Sequence, residues 1–290
     1  MATTSYCRYL SEMRVCLVIS AIALSCQLWA ADIEFADAGV KTLCVANWDT
    51  SGDGELSEEE AAAVTTLGTV FREKTSIGAF PELRYFTGLT AIDDYAFYKS
   101  SISGELRVPG NVKIIGDYAF NSCRQLTSVV LEEGVEEVGW HTFSGPIAML
   151  SLPASLTFMS SMAIDPYVNG ASSGMFTPEG DLYVYAHGTT PADINNYAFY
   201  YVFAAAHLIV PCGSKEAYRE AWAWSHFGEY IEAGDVNRDG RLDIADVTLL
   251  IAYIQGREHT ETEARIADVN GDGLLDGKDV EQLCQYLLGS

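Results

Sequence analysis

The chain has 290 residues, of which 49% are hydrophobic, so it is long enough for about two domains with apolar cores and is not a disordered chain. Forty acidic residues against 17 basic ones give a formal net charge of -23. This balance argues against nucleic acid as a partner, because phosphate binding needs concentrated Lys and Arg. Solvated acidic faces account for most of these carboxylates, and metal binding is the alternative for the remainder.

The first 31 residues have the order of a secretory signal peptide. Arg8 and Arg14 precede an apolar run over residues 15–24, and the small residues Ala30 and Ala31 follow it. The apolar run is too short for a lasting transmembrane span. We therefore predict export of the protein, with cleavage near Ala30.

Two alternatives remain open at this end of the chain. Met13 as the true start would give the presequence a more usual basic end. Residues 24–26 (Leu-Ser-Cys) resemble the end of a lipoprotein signal, in which an acylated Cys26 would hold the protein on a membrane. Both alternatives still predict export, so we expect a secreted protein or one attached to the cell surface.

Export affects how the cysteines are interpreted. Cys44, Cys123, Cys212 and Cys284 remain after removal of the presequence, and they are too widely spaced for a disulfide scaffold. The sequence contains no CxxC pair, which argues against zinc. We predict that each of the four is a small buried hydrophobic residue.

Residues 49–60 match the calcium loop of an EF-hand. Oxygen-bearing side chains occupy loop positions 1, 3, 5, 9 and 12, and a glycine occupies position 6, where the backbone turns sharply. With position 7, where such loops contribute a backbone carbonyl, the predicted metal-binding residues are Asp49, Ser51, Asp53, Glu55, Ser57 and Glu60. The alternative is an acidic turn closed by a Ser57 and Glu60 capping box. Because a single hand has no sister hand to pair with, we interpret residues 32–79 as a calcium-binding cap rather than a switch.

A repeat organises residues 91–158. Phe97, Phe120 and Phe143 stand 23 residues apart, and each ends a phrase such as Ile-Gly-Asp-Tyr-Ala-Phe. Each unit also contains a short alternating strand, as in residues 105–109. A period of this length predicts a solenoid, in which each unit buries its apolar side against its neighbours. The apolar residues 80–89 should cover the open end of this solenoid.

The units resemble the BspA-like leucine-rich repeats of bacterial surface proteins. Residues 120–126 match the F-x-x-C-x-x-L turn of that family, and the resemblance resumes after an irregular insertion at 165–179. It ends with a closing strand and a capping helix over residues 207–218. The resemblance implies a repeat domain over residues 80–232 that recognises a protein or a glycan.

The repeated Phe97, Phe120, Phe143 and Cys123 are predicted to be core residues, because every coil uses these positions. Ligand contacts are more plausible where the repeat pattern breaks, with core packing as the alternative. The tyrosines in those places are Tyr167, Tyr183, Tyr185, Tyr200 and Tyr201.

The carboxyl-terminal part of the chain is duplicated. Residues 234–256 and 267–289 align without a gap, and 12 of 23 positions are identical. Each half begins with a calcium loop and continues into an amphipathic helix. The predicted metal-binding residues are Asp235, Asn237, Asp239, Arg241, Asp243, Asp246, Asp268, Asn270, Asp272, Leu274, Asp276 and Asp279.

This duplicated module, with Asp at position 12 and no helix entering each loop, resembles type I dockerin over residues 233–290. The resemblance implies a small module that folds around two calcium ions and docks onto a cohesin. Its recognition positions fall on Ile244 and Ala245 in the first half, and on Gly277 and Lys278 in the second. Because these pairs differ, one-faced docking or a partner outside the usual set is favoured over symmetric two-way binding.

Together these features predict an α+β protein: a short leucine-rich-repeat β-solenoid capped by helices, followed by a small all-α calcium-binding dockerin module. We find no HExxH, GxSxG or phosphate-loop motif. The predicted function is that of an exported, non-catalytic binding protein that holds two calcium ions in the dockerin and one in the amino-terminal loop. One alternative is an accessory or catalytic component of a glycan-degrading complex, since the carboxylate pairs of glycosidases have no fixed spacing. The other is a calcium-hardened structural surface protein whose dockerin packs on its own repeats.

Overall fold

The computed structural model describes residues 31–164, 182–199 and 206–289. The predicted signal peptide before residue 31, the insertion at 165–179, Tyr167, Tyr200 and Tyr201 lie outside this part of the chain. In the described residues, no helix has the length and apolar character needed to cross a membrane.

The amino-terminal segment closes one end of the repeats. Helix α1 (Ala38–Trp48) starts at Asp37, whose carboxylate accepts the Val40 N–H at 2.8 Å. Helix α2 (Glu58–Ala63) begins with the predicted capping box, and a 3-10 helix follows at Pro81–Tyr85. Phe71 stacks on Phe97 at 4.8 Å between ring centroids, and Phe80 lies 6.4 Å from the same ring. The predicted covering of the solenoid's open end is therefore confirmed.

The repeats form two parallel sheets on a common core. In the described residues, one sheet has the order β1-β3-β5-β7 and the other has the order β10-β9-β8-β6-β4-β2. The strands of the first sheet are β1 (Ala91–Ile92), β3 (Ile114–Ile115), β5 (Glu137–Val138) and β7 (Phe158–Met159). Those of the second are β2 (Ser103–Val108), β4 (Gln125–Leu131), β6 (Met149–Leu152), β8 (Leu182–Ala186), β9 (Ala206–Val210) and β10 (Glu229–Glu232).

A ladder of phenylalanines runs through this core. The rings of Phe97 and Phe120 stack at 4.8 Å, and those of Phe120 and Phe143 stack at 5.4 Å. These separations follow the spacing of hydrogen-bonded strands, which is about 4.8 Å. All three rings are fully buried, and the buried Cys123 thiol donates to the Phe97 carbonyl at 3.2 Å. The predicted core role of these four positions is confirmed.

The far end of the repeats differs from the prediction. The predicted closing strand is β9, and helix α3 (Lys215–Glu220) follows it as expected. A further strand, β10, then pairs with β9 and becomes the edge of the sheet. The expectation that β9 closes the sheet was therefore wrong. The alternation in residues 229–232 is too short to be recognised without the neighbouring strand that it pairs with.

The carboxyl-terminal module contains α4 (Ile244–Ile254), α5 (Glu261–Ala267) and α6 (Gly277–Leu288). Its core is formed mainly by the two homologous helices and the residues beside the loops, including Val236, Val247, Leu250, Val269 and Leu283. Helix α5 ends directly before Asp268 and enters the second loop, so the prediction of loops without an entering helix is wrong for this half. The sequence carried a signal for it, because Thr260 and Glu263 form a capping box.

The four described cysteines are free thiols. Cys44 and Cys123 are buried, as predicted, and burial raises the pKa of Cys123 to about 11. Cys212 and Cys284 are only half-buried against the core of the carboxyl-terminal module. The prediction of a buried hydrophobic role therefore holds fully for the first pair and in part for the second.

Candidate metal-binding loops and docking surface

The backbone of all three calcium-type loops turns at the glycine in position 6. Gly54, Gly240 and Gly273 have φ values of 89°, 82° and 81°. This left-handed conformation favours glycine, which explains why the same residue type recurs at this position. The turn brings the first and last parts of each loop together.

The acidic residue at position 1 fixes that turn in each loop. Its carboxylate accepts the N–H of the position 6 glycine at distances of 2.8 to 3.0 Å. Gly54 donates to Asp49, Gly240 to Asp235 and Gly273 to Asp268. The residue at position 5 acts in a similar way, because Asp53, Asp239 and Asp272 each accept the N–H of position 7 at 2.9 Å. Backbone N–H groups of each loop thus hold the carboxylates of positions 1 and 5 in place.

The acidic residue at position 12 ties the end of each loop to its beginning. Glu60 accepts the N–H groups of Ser51 and Ser57 at 2.9 and 3.0 Å. Asp246 does the same for Asn237 and Asp243 at 3.1 and 2.9 Å, and Asp279 for Asn270 and Asp276 at 3.2 and 2.8 Å. Position 9 is also the N-cap of the following helix in each case. The three loops therefore share the same set of hydrogen bonds, which links positions 1, 5 and 12 to the loop backbone.

The described residues contain no group of three or more His, Cys, Asp or Glu side chains placed as a ready-made metal site. Each predicted ligand set includes three or four Asp or Glu side chains, and in the described residues these are not gathered at one point. The other predicted ligands are Asn or Ser side chains and a backbone carbonyl. Calcium takes 6 to 8 oxygen ligands of these kinds. The donor chemistry of the loops fits a hard divalent cation.

The charges within the two carboxyl-terminal loops also fit a cation. Burial raises the pKa of Asp268 to about 6, and repulsion from Asp279 and Asp272 adds to this effect. The pKa of Asp235 is raised by burial and by the nearby Asp246 and Asp239. A bound cation would offset this repulsion, and its binding would compete with protonation of these carboxylates.

The amino-terminal loop has different electrostatics. Backbone hydrogen bonds from Gly54 and Gly52 hold the pKa of Asp49 below its usual range. The pKa of Glu60 is lowered to about 2, first by the Ser57 N–H, which its carboxylate accepts. In this loop the ionised form of the two carboxylates is stabilised by hydrogen bonds from within the loop.

The predicted partner-binding residues present two unlike surfaces. Ile244 is 72% exposed at the start of α4, and Ile251 lies two turns further along the same helix face, also exposed. On α6, Lys278 is exposed but its ammonium group contacts Asp272 at 3.2 Å and Asp276 at 3.8 Å. The apolar pattern of α4 groups Ile251 with Val247, Leu250 and Ile254 on one packed side. This prediction is wrong for Ile251, which is exposed on the face of Ile244, seven residues before it.

Two family models match this chain. A model described as the BspA type leucine rich repeat region matches residues 71–169 in six copies, and one described as the dockerin type I domain matches residues 233–288. No curated protein matches the chain. Type I dockerin domains bind calcium and attach their proteins to cohesin partners. The chain therefore combines a region of BspA-type leucine-rich repeats with a carboxyl-terminal type I dockerin domain.

Proposed function

We propose that this chain is an exported, non-catalytic binding protein whose dockerin attaches it to a cohesin-type partner in a calcium-dependent manner, while its repeats recognise a protein or a glycan. The observation that carries the docking proposal is the shared hydrogen-bond arrangement of the two dockerin loops, which fixes the start of α4 and of α6. Calcium would complete each loop and hold these helix starts in place.

The proposed docking surface is the exposed face of α4. It carries Ile244, Ala245 and Ile251, and exposed apolar side chains of this kind are typical of protein interfaces. The matching face of α6 begins with Gly277 and Lys278, and the ammonium group of this lysine forms ion pairs with Asp272 and Asp276 of the second loop. We therefore propose docking through one face, with the first half of the dockerin as the contact.

We propose calcium ions in both dockerin loops and a third in the amino-terminal loop. The third ion would serve as a structural cap, because Leu56 of that loop is fully buried and the loop is joined to the segment before α1 by the hydrogen bond from the Ile33 N–H to the Leu56 carbonyl. The proposed ligands are those derived from the sequence. The proposed domains are likewise residues 32–79, 80–232 and 233–290, after a signal peptide over residues 1–31.

One side-chain pair bears on the enzyme alternative. The Ser151 hydroxyl lies 2.9 Å from Nε2 of His187, beside a cleft of about 580 Å³ between the repeats and the second dockerin loop. However, Ser151 is only 6% exposed, and no Asp or Glu of the described residues hydrogen-bonds to this imidazole. A hydrolytic triad needs such an orienting group. The pair is better explained as two polar groups that satisfy each other in a buried place.

The test is binding to an immobilised type I cohesin module, using the chain from residue 32 onward. We expect capture in calcium, loss of capture in chelator, and loss in a variant that combines Asp235→Ala and Asp268→Ala. Ile244→Asp should weaken binding by about tenfold or more, whereas Lys278→Ala should leave it nearly unchanged. Absence of calcium-dependent capture would contradict the docking proposal, and loss with Lys278→Ala alone would reverse the assignment of the face. Glycan hydrolysis by the purified protein that is abolished by changing a carboxylate outside the three loops would support the enzyme alternative.

A further inference from the structure

The outer face of the six-stranded sheet changes character from one edge to the other. Leu106 and Val108 of β2 point into the core, so the alternating residues Glu105 and Arg107 point outward. The strand register continues these positions as two outward rows across the described strands. The first row is Glu105, Ser128, Met149, Tyr183, His207 and Glu229, and the second is Arg107, Val130, Ser151, Tyr185, Ile209 and Ile231.

The second row is charged at β2 but apolar at β8, β9 and β10. A sheet face that meets water is expected to carry polar residues, whereas strands buried on both faces have nearly continuous apolar sequences. Residues 182–186 (Leu-Tyr-Val-Tyr-Ala) have the second kind of sequence. The apolar outward residues of these strands are therefore expected to pack against another segment, and Tyr185 and Ile209 are in fact buried.

The cover is supplied by the dockerin of the same chain. Ile266 of α5 is fully buried and forms one apolar cluster with Tyr185, Ile209 and Ile231. Within the described chain, Ile266 belongs to this cluster and not to the dockerin's own core. Its carbonyl accepts the Gly234 N–H at 2.7 Å, which joins α5 to the segment that leaves β10. Tyr183 and Tyr185, candidates for ligand contact on sequence grounds, thus belong to an internal interface.

Charged side chains surround this apolar contact. Arg265 lies 3.9 Å from Glu105 of β2 and stands over the Tyr185 ring. Arg238, in the first dockerin loop, pairs with Glu229 of β10 at 3.0 Å. The contact therefore involves both the first loop and α5, and it reaches from one edge of the sheet to the other.

Position 4 of the loops gives independent support. Gly52, Arg238 and Gly271 occupy this position with left-handed φ values of 75°, 58° and 72°. Arginine is strained in this conformation, and here its side chain makes the ion pair with Glu229. At Gly271 an added Cβ would lie 2.7 Å from Nδ1 of His187, whereas at Gly52 it would meet nothing within 4 Å. In both dockerin loops, position 4 is thus adapted to contact with the repeats.

We propose that the outer face of the repeat sheet is a docking surface for the chain's own dockerin, and that this contact transmits the stabilising effect of calcium from the dockerin to the repeats. The second loop follows α5 without a break, so ordering of that loop fixes the helix that carries Ile266. A ligand that binds only the folded dockerin then also stabilises whatever folds together with it. The proposal is independent of cohesin binding.

The test is thermal unfolding of the chain from residue 32 onward, in calcium and in chelator, combined with amide hydrogen exchange resolved by segment. We expect one main transition in calcium, and we expect chelator to reduce the protection of β8 to β10 as well as that of α4 and α6. Ile266→Ser should lower the melting temperature of the repeats by about 5 °C and make their protection insensitive to calcium. Ile254→Ser is the matched control, because this isoleucine of α4 is exposed and lies outside the proposed docking surface, and it should have neither effect.

Arg238→Gly provides a second variant in case Ile266→Ser disturbs folding. It removes the ion pair with Glu229 but also removes a strained conformation, and glycine is the residue found at the sister position. We expect weaker coupling of the repeats to calcium with little change in the melting temperature in calcium, because loss of a largely exposed ion pair and relief of backbone strain oppose each other. Two separate transitions in the unmodified chain, with repeats that do not respond to chelator, would overturn the proposal. So would equal behaviour of the Ile266→Ser and Ile254→Ser variants.

Discussion

The amino-terminal loop and the second dockerin loop share a motif and a hydrogen-bond arrangement, yet the pKa values of their position 1 carboxylates are shifted in opposite directions. In both loops the carboxylate of position 1 accepts the N–H of the position 6 glycine. Nevertheless the pKa of Asp49 is lowered by hydrogen bonds, whereas that of Asp268 is raised by burial and by neighbouring carboxylates. The motif determines the path of the backbone. The surroundings determine how readily its carboxylates ionise.

The largest difference between these loops should appear when calcium is removed. Each ion at 1,000 times its dissociation constant stabilises the folded state by about 4 kcal/mol. Because the dockerin has a small core, we expect chelator to lower amide protection in α4 and α6 by about 1,000-fold, the factor that corresponds to this free energy. Helix α1 should remain protected, since it packs on the large core of the repeats through Val40 and Cys44. Hydrogen exchange measures both, and equal loss of protection in α1 would contradict the comparison.

Removal of the position 12 carboxylate should have the next largest effect. Asp279 is fully buried and accepts three backbone N–H groups, so Asp279→Ala should destabilise the dockerin by about 3 kcal/mol or more. Glu60 also accepts three backbone N–H groups, but it is only half-buried, so Glu60→Ala should cost about 1 kcal/mol, the usual value for loss of a helix cap. Denaturant unfolding in saturating calcium gives both free energies. Similar costs at the two positions would show that burial does not distinguish the loops.

Position 4 allows a smaller and more local comparison. Gly52→Ala should destabilise the protein by about 1 kcal/mol, because alanine is strained at positive φ. Gly271→Ala carries the same strain and also places a Cβ 2.7 Å from Nδ1 of His187, so we expect about 2 kcal/mol. The two melting temperatures, measured in calcium, test this difference. Equal shifts would mean that the second loop does not approach the repeats closely.

The smallest expected effect is a difference in pH dependence between calcium-free loops. The pKa of Asp268 rises from an ordinary 3.8 to about 6, so the folded form binds the proton more tightly than the unfolded form does. The contribution of this group to stability therefore falls as pH rises from about 4 to about 6. The pKa of Glu60 falls from an ordinary 4.5 to about 2, so its contribution is present above pH 4.5 and is lost as pH falls towards 2. Carboxyl NMR titration in chelator should separate the two groups, and a common midpoint near 4 would contradict this prediction.

The loops and the repeats could be predicted because their signals are local or periodic. Gly240 and Gly273 are required by backbone conformation, and the 23-residue spacing of Phe97, Phe120 and Phe143 follows from the stacking of one coil on the next. Such constraints leave their marks within a short window of sequence. The calcium ligands, in contrast, stay predictions, since they depend on an ion.

The contact between dockerin and repeats could not be predicted in the same way, because it joins residues far apart in the chain. Ile266 is one apolar residue in a short helix, and only its position opposite Tyr185 and Ile209 explains it. The apolar strands did carry a signal that both their faces are covered. They did not indicate which segment covers the outer one. Strand β10 was missed for a related reason, since its identity depends on pairing with β9.

The phenylalanine ladder has a consequence for how such a protein can change its length. Phe97, Phe120 and Phe143 occupy equivalent places, and each ring meets its neighbours at nearly the same separation. Removal of residues 98–120 would bring Phe97 directly against Phe143 and would leave every remaining coil with the kind of neighbour it had before. The coil is therefore an exchangeable building block, and a lineage or an engineer can lengthen or shorten the domain in steps of one coil without redesigning its core.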